Sequence, residues 1–155
     1  NNPEDLKYVD KLLDACPNLY VDIAARLGEI GRHPVKETRA FFIKHQDRIL
    51  FGSDFSVSPR GMQLGSVSET PPTHEDAVRF YADHRHFLET ADRNINHPTT
   101  SQGPWKINAI NLPRDVLLKL YQANAEKLIF SKRSAWLRAQ AASTPQPQSV
   151  MPKKK

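Results

Sequence analysis

The sequence predicts an α/β fold built on parallel strands. Amphipathic helical segments alternate with short apolar runs through the first half of the chain, the order that parallel βα units require. The second of those runs, Arg48-Ile49-Leu50-Phe51-Gly52-Ser53-Asp54, ends in a small-small-acid tip. A helix start signal stands before the first unit, where Asn2 caps, Pro3 takes the first helical position, and Glu4 and Asp5 face the helix dipole.

Each element follows from local pattern. Leu6, Val9, Leu12 and Leu13 recur at helical spacing and form one buried stripe, and Pro17-Asn18 stops that helix. Leu19 to Ala24 reads as a strand with Leu19, Val21 and Ile23 on one face. Residues 25–34, with Gly28, Gly31 and Pro34, read as a loop. A helix follows from about Val35 to His45, then the second strand. Residues 55–73, rich in Pro, Gly and Ser, read as one long loop, a length that usually carries function. Thr73 and Asp76 have capping-box spacing and open a helix to about Leu88. A polar loop covers 90–104, and Trp105 to Ile110 reads as a short strand or extended segment. Pro113 opens a further helix with Val116, Leu117, Leu120 and Tyr121 on one face, and a last helical stretch lies near Ser134 to Ala142. Residues 1–142 thus form the folded part, and the Pro- and Gln-rich 143–155 reads as a disordered tail.

Composition removes several function classes. The formal charge is +5, but the last three residues are lysines, and residues 1–142 hold 19 Lys plus Arg against 17 Asp plus Glu. Acids and bases alternate along the body, so no basic patch for nucleic acid is expected. Three terminal lysines fall short of a lipid-binding cluster, and no apolar run approaches the roughly 18 residues of a membrane span. With Cys16 alone, an internal disulfide and a cysteine zinc knuckle are excluded. Cys16 itself reads as a small buried hydrophobe at a helix end. A lone cysteine suits a reducing compartment, which favours the cytoplasm without fixing it.

Asp54 is the chief candidate for chemistry. A carboxylate at the carboxyl end of a buried parallel strand stands where α/β enzymes place catalytic groups, and Gly52 and Ser53 leave room for a ligand. The alternative is an acid that caps the following turn. Arg26 closes the first strand and there could clamp a substrate carboxylate, or else pair with Asp22 or Glu29. Arg32, Arg60 and His33 are weaker candidates on loops. His84-Arg85-His86 has the look of a His-x-His ligand pair, but within a helix the two rings face different ways, so they read as surface or packing residues. His45, His74 and His97 read as helix-end or loop residues.

Two stretches, Leu19-Tyr20-Val21-Asp22-Ile23-Ala24-Ala25-Arg26 and Asp47-Arg48-Ile49-Leu50-Phe51-Gly52-Ser53-Asp54-Phe55, resemble the amidohydrolase-related branch of the amidohydrolase superfamily. So do His86-Phe87-Leu88-Glu89-Thr90, Gly103-Pro104-Trp105-Lys106-Ile107-Asn108, Leu112-Pro113 and Tyr121-Gln122-Ala123-Asn124-Ala125-Glu126-Lys127-Leu128-Ile129. These patterns fall in order from residue 1 to about 130. The resemblance implies the C-terminal part of a (β/α)8 TIM barrel, about the last two to three βα units, plus C-terminal helices. It implies metal-dependent hydrolysis or non-oxidative decarboxylation of a small carboxylated compound, and leaves those two open. It makes Asp54 the eighth-strand ligand of a divalent metal, usually zinc, and a proton acceptor. Trp105 and Leu112-Pro113 become packing anchors beneath the final helix.

The family's other ligands, a first-strand His-x-His pair and a sixth-strand His, would lie upstream of Asn1, and 155 residues fall short of the roughly 250 of a full barrel. The expectation is therefore a C-terminal portion of a larger enzyme, inactive alone, with a small-molecule substrate and room for a homo-oligomer of the full-length protein. The rival reading is a non-catalytic barrel segment acting as a structural or interaction module.

Overall fold

The computed structural model describes residues 2–59, 61–66, 68, 70–131 and 136. The expected helix near 134–142, the 143–155 tail and Arg60 lie outside the described residues, Trp136 apart. The architecture is mixed helix and sheet, in agreement with the α/β class.

Helix α1 spans Leu6–Ala15 and places Leu13 in the core. Its cap is Asp5, whose carboxylate accepts from Tyr8 N at 2.9 Å, and not Asn2. The Asn2-Pro3 pair forms a turn before the helix, closed by Asp5 N to the Asn2 carbonyl. A carboxylate at that position also meets the positive end of the helix dipole, which an Asn amide does not. Cys16 is exposed, contrary to the buried reading. It lies one residue past the helix, where Pro17 turns the chain outward.

Strand β1 is Val21–Asp22 and strand β2 is Ile49–Leu50, shorter than the apolar runs around them. They pair in parallel, Val21 opposite Ile49 and Asp22 opposite Leu50. A four-residue helix α2, Leu27–Ile30, replaces the expected open loop after β1, because Leu27 and Ile30 bury on the core. Helix α3, Val35–Lys44, crosses back between the strands and buries Thr38 and Phe42.

Beyond β2 the chain forms an antiparallel hairpin, β3 Phe55–Ser58 and β4 Gly61–Leu64, where one structureless loop was expected. The alternation Phe55, Val57 against Ser56, Ser58 is a strand pattern that the flanking Pro and Gly residues mask in the sequence. Helix α4, His74–Glu89, starts at Thr73 with the full capping box. Its last carbonyls are satisfied by the extended 105–112 segment: Ile110 N bonds Phe87 O at 2.9 Å and Leu112 N bonds Leu88 O at 2.8 Å. That segment also forms an antiparallel bridge between Ile107 and Ile95.

Helix α5, Arg114–Leu118, continues through two π-type turns, Lys119–Ala123 and Glu126–Phe130. The first has a visible cause. The Leu120 carbonyl accepts from Phe51 N at 2.9 Å, so a helix carbonyl is diverted to the backbone just beyond β2. Asn124 reaches the same region, donating to the Gln46 and Ile49 carbonyls. Val116 and Leu120 bury as the stripe predicts.

Trp105 anchors elsewhere than beneath the final helix. Its Nε1 donates to the Gly28 carbonyl at 2.9 Å, and its ring stacks on His97 at 4.8 Å between centroids. Gly103 and Gly31 make this packing fit. A Cβ on Gly103 would lie 2.0 Å from Trp105, and one on Gly31 would lie 2.5 Å from Ile107 Cβ. No helix among the described residues is long and apolar enough to cross a membrane.

Candidate functional site

The candidate site is the carboxyl edge of the β1–β2 pair. Both strands leave through a left-handed residue: Ala25 (φ 54°) after β1 and Asp54 (φ 58°) after β2. Such backbone is uncommon outside glycine, costs on the order of 1 kcal/mol or more, and concentrates at functional sites. At the β1 exit, Asp22 accepts from Ala24 N at 2.9 Å, a local turn that fixes the path to Arg26. At the β2 exit, Gly52 passes so close to β1 that a Cβ there would lie 3.1 Å from Ala24 Cβ and 3.3 Å from Asp22 Cβ.

Asp54 is held by its backbone. Its carbonyl accepts from Gly65 N at 3.1 Å, so the end of the hairpin clamps it. The preceding Ser53 hydroxyl lies 3.2 Å from Tyr81 Oη on α4 and accepts from Phe55 N at 3.3 Å. The Asp54 carboxylate is exposed, and among the described residues it accepts no hydrogen bond and meets no cation. It therefore caps no turn among the described residues.

Arg26 stands at the start of α2 with its side chain 36% exposed. Its Nη1 lies 3.8 Å from Glu29 Oε1, a long contact, and it does not pair with Asp22. Arg26 Nε and Glu29 Oε2 are both buried without a hydrogen-bond partner among the described residues. Sequence reading named Glu29 only as a salt-bridge partner; its position one turn beyond Arg26 was the available signal.

The histidines lie apart from Asp54 in role. His33 Nε2 bonds the Pro3 carbonyl at 2.8 Å. His84 is buried in α4 with Nδ1 on the Phe80 carbonyl at 2.7 Å, and His86 pairs with Asp92 at 2.7 Å, so the two rings of His84-Arg85-His86 do diverge. His97, expected as a loop residue, is fully buried between Thr99, Gly103 and Trp105. His74 is the exposed first residue of α4. Arg32 lies over the Trp105 ring at 5.6 Å, a packing contact.

A metal fits Asp54 poorly on these residues alone. Zinc takes about three or four protein ligands, and no set of three ligating side chains that includes Asp54 exists among the described residues. One set occurs at the opposite, amino end of β2. Asp10 and Asp14 of α1 and His45 after α3 bring three ligand atoms within 4.8 Å of one another and could hold a metal ion. The Lys44 ammonium already bridges the two carboxylates, at 2.8 Å from Asp10 and 2.7 Å from Asp14. His45 Nε2 donates to Asp10 at 2.6 Å, because Arg48, which only donates, holds Nδ1 at 3.0 Å. Lys44 and His45 together push the Asp10 carboxyl below its ordinary range. Arg48 also bonds the Leu13 carbonyl and the Cys16 carbonyl, tying off the last turn of α1. The i, i+4 spacing of Asp10 and Asp14 on one helix face was the sequence signal for this cluster.

Comparison with known proteins gives no family: no family model, no curated protein and no solved structure matches the chain.

Proposed function

We propose that residues 1–142 are the C-terminal part of an amidohydrolase-type (β/α)8 barrel whose activity is hydrolysis or non-oxidative decarboxylation of a small carboxylated compound. The observation that carries this reading is the uncommitted Asp54 carboxylate, four residues beyond the parallel strand β2, in left-handed backbone clamped by Gly65. Parallel pairing of β1 with β2 around α3 supports the barrel topology. In the hydrolytic version Asp54 takes a proton from the attacking water and passes it to the leaving group; in the decarboxylating one it takes the proton of the substrate's carboxyl group and delivers it to the carbon from which CO2 departs. Arg26 binds the substrate carboxylate through the exposed part of its side chain.

The divalent metal, zinc by resemblance, belongs to this reading with Asp54 as one ligand and the rest supplied from outside these residues. The single ligand at Asp54 also favours the second reading, a structural barrel segment without activity of its own.

Arg26 tests the substrate-binding part of the first reading. In a catalytically competent polypeptide carrying these residues, Arg26→Gln removes a charge-assisted contact and raises KM by about 10- to 100-fold, with kcat changed less. An unchanged KM removes Arg26 from the site.

A further inference from the structure

A pocket lies beside the end of β4, between α4 and residues 98–101. Its volume is about 330 Å³, at the small end of ligand-sized cavities. Leu64, Phe80 and Pro98 give it an apolar floor, and Arg79, Asp83, Ser66 and Thr100 give it polar walls.

The charges are the informative part. Arg79 and Asp83 stand one turn apart on the same face of α4, the spacing at which opposite charges ordinarily pair. Here they make no direct ion pair, and neither has a hydrogen-bonding partner among the described residues, although exposed Arg79 acts through space on Asp83 and Asp76, and His86 and His97 also act on Asp83. Asp76, also on the pocket wall, is committed to Thr73 N and Oγ1 at the helix cap. Asp83 is half-buried, and that burial holds its carboxyl above the ordinary range. A cation delivered to Asp83 would relieve it. The Ser66 and Thr100 hydroxyls likewise make no side-chain hydrogen bond to another described residue.

We propose that this pocket binds a small amino-acid-like zwitterion, its carboxylate on Arg79, its ammonium on Asp83, and its polar side chain against the Ser66 and Thr100 hydroxyls. A guanidinium and a carboxylate side by side on one wall of a 330 Å³ pocket match a ligand that carries the opposite pair of charges. The site stands independently of Asp54 and of the barrel reading.

The test is an NMR titration of the whole chain with L-threonine, with 3-hydroxybutyrate (no ammonium) and 1-amino-2-propanol (no carboxylate) as matched controls. L-Threonine is expected to shift the amides of 64–66, 79–83 and 98–101 saturably, and each control to bind at least tenfold more weakly. Arg79→Gln and Asp83→Asn, both outside the core, are expected to weaken L-threonine at least tenfold while helical circular dichroism is unchanged. Asp83→Glu, which keeps the charge, is expected to retain part of the affinity. Equal responses to all three probes, shifts centred elsewhere, no saturable shift, or variants that bind like the parent would each overturn the proposal.

Discussion

Asn124 donates through Nδ2 to the Ile49 carbonyl at 2.8 Å and to the Gln46 carbonyl at 2.7 Å, so one buried amide on the last helix holds the amino end of β2. Both protons of that amide are used, and the side chain is 5% exposed. Asn124→Leu should therefore strand two carbonyls as well as lose two bonds. A loss of about 1–3 kcal/mol is expected in denaturant unfolding. A midpoint equal to the parent's would mean the amide is replaceable by water.

Gly31 sits where a Cβ would fall 2.5 Å from Ile107 Cβ. Two backbone-attached carbons cannot rotate away, so Gly31→Ala must push the 105–112 segment off α2. Overpacking of this kind costs about 1–3 kcal/mol, readable as a lower melting temperature. A neutral or stabilised variant would show that the segment shifts freely.

Thr73 and Asp76 satisfy each other's backbone at the start of α4. Thr73→Ala should lower stability by about 0.5–2 kcal/mol, and Thr73→Ser should keep most of it. If serine and alanine behave alike, the hydroxyl is not what caps the helix.

His84 and His97 give the chain an acid sensitivity. Burial holds both imidazoles below the ordinary value of 6.5. The unfolded chain then binds more protons than the folded one once pH drops below 6.5, so stability falls from there until pH passes the folded values. The unfolding midpoint at pH 5.5 should lie below that at pH 7.5, and His84→Gln should flatten the slope. A midpoint that holds steady across that range would contradict the burial argument.

Much of this fold was legible because helix signals are local. The Thr73–Asp76 box, the Val116–Leu120 stripe and the Pro17 stop each act within one or two turns. The β3–β4 hairpin was hidden because flanking Pro and Gly residues mask the Phe55, Val57 alternation of β3, a strand exposed along its whole length. Cys16 misled because a small apolar residue at a helix end says nothing of which way the next turn faces. At the site, the sequence puts Asp54 at the tip of an apolar run, whereas the strand itself stops at Leu50 and Asp54 leads into the hairpin. Spacing alone pairs Arg26 with Glu29 and Asp10 with Asp14, but the unsatisfied Nε and Oε2 atoms and the Lys44 bridge depend on how side chains converge in space.

The central claim rests on Asp54, and one substitution isolates its charge. Asparagine tolerates left-handed backbone at least as well as aspartate, so Asp54→Asn keeps the φ of 58° and the Gly65 clamp while removing the carboxylate. The measurement is metal-dependent turnover of small carboxylated substrates by the polypeptide carrying these residues, parent against Asp54→Asn, with circular dichroism matched. The account predicts a loss of about 10²- to 10⁴-fold in kcat, the scale of a proton-transfer group. Turnover that survives Asp54→Asn intact would contradict it.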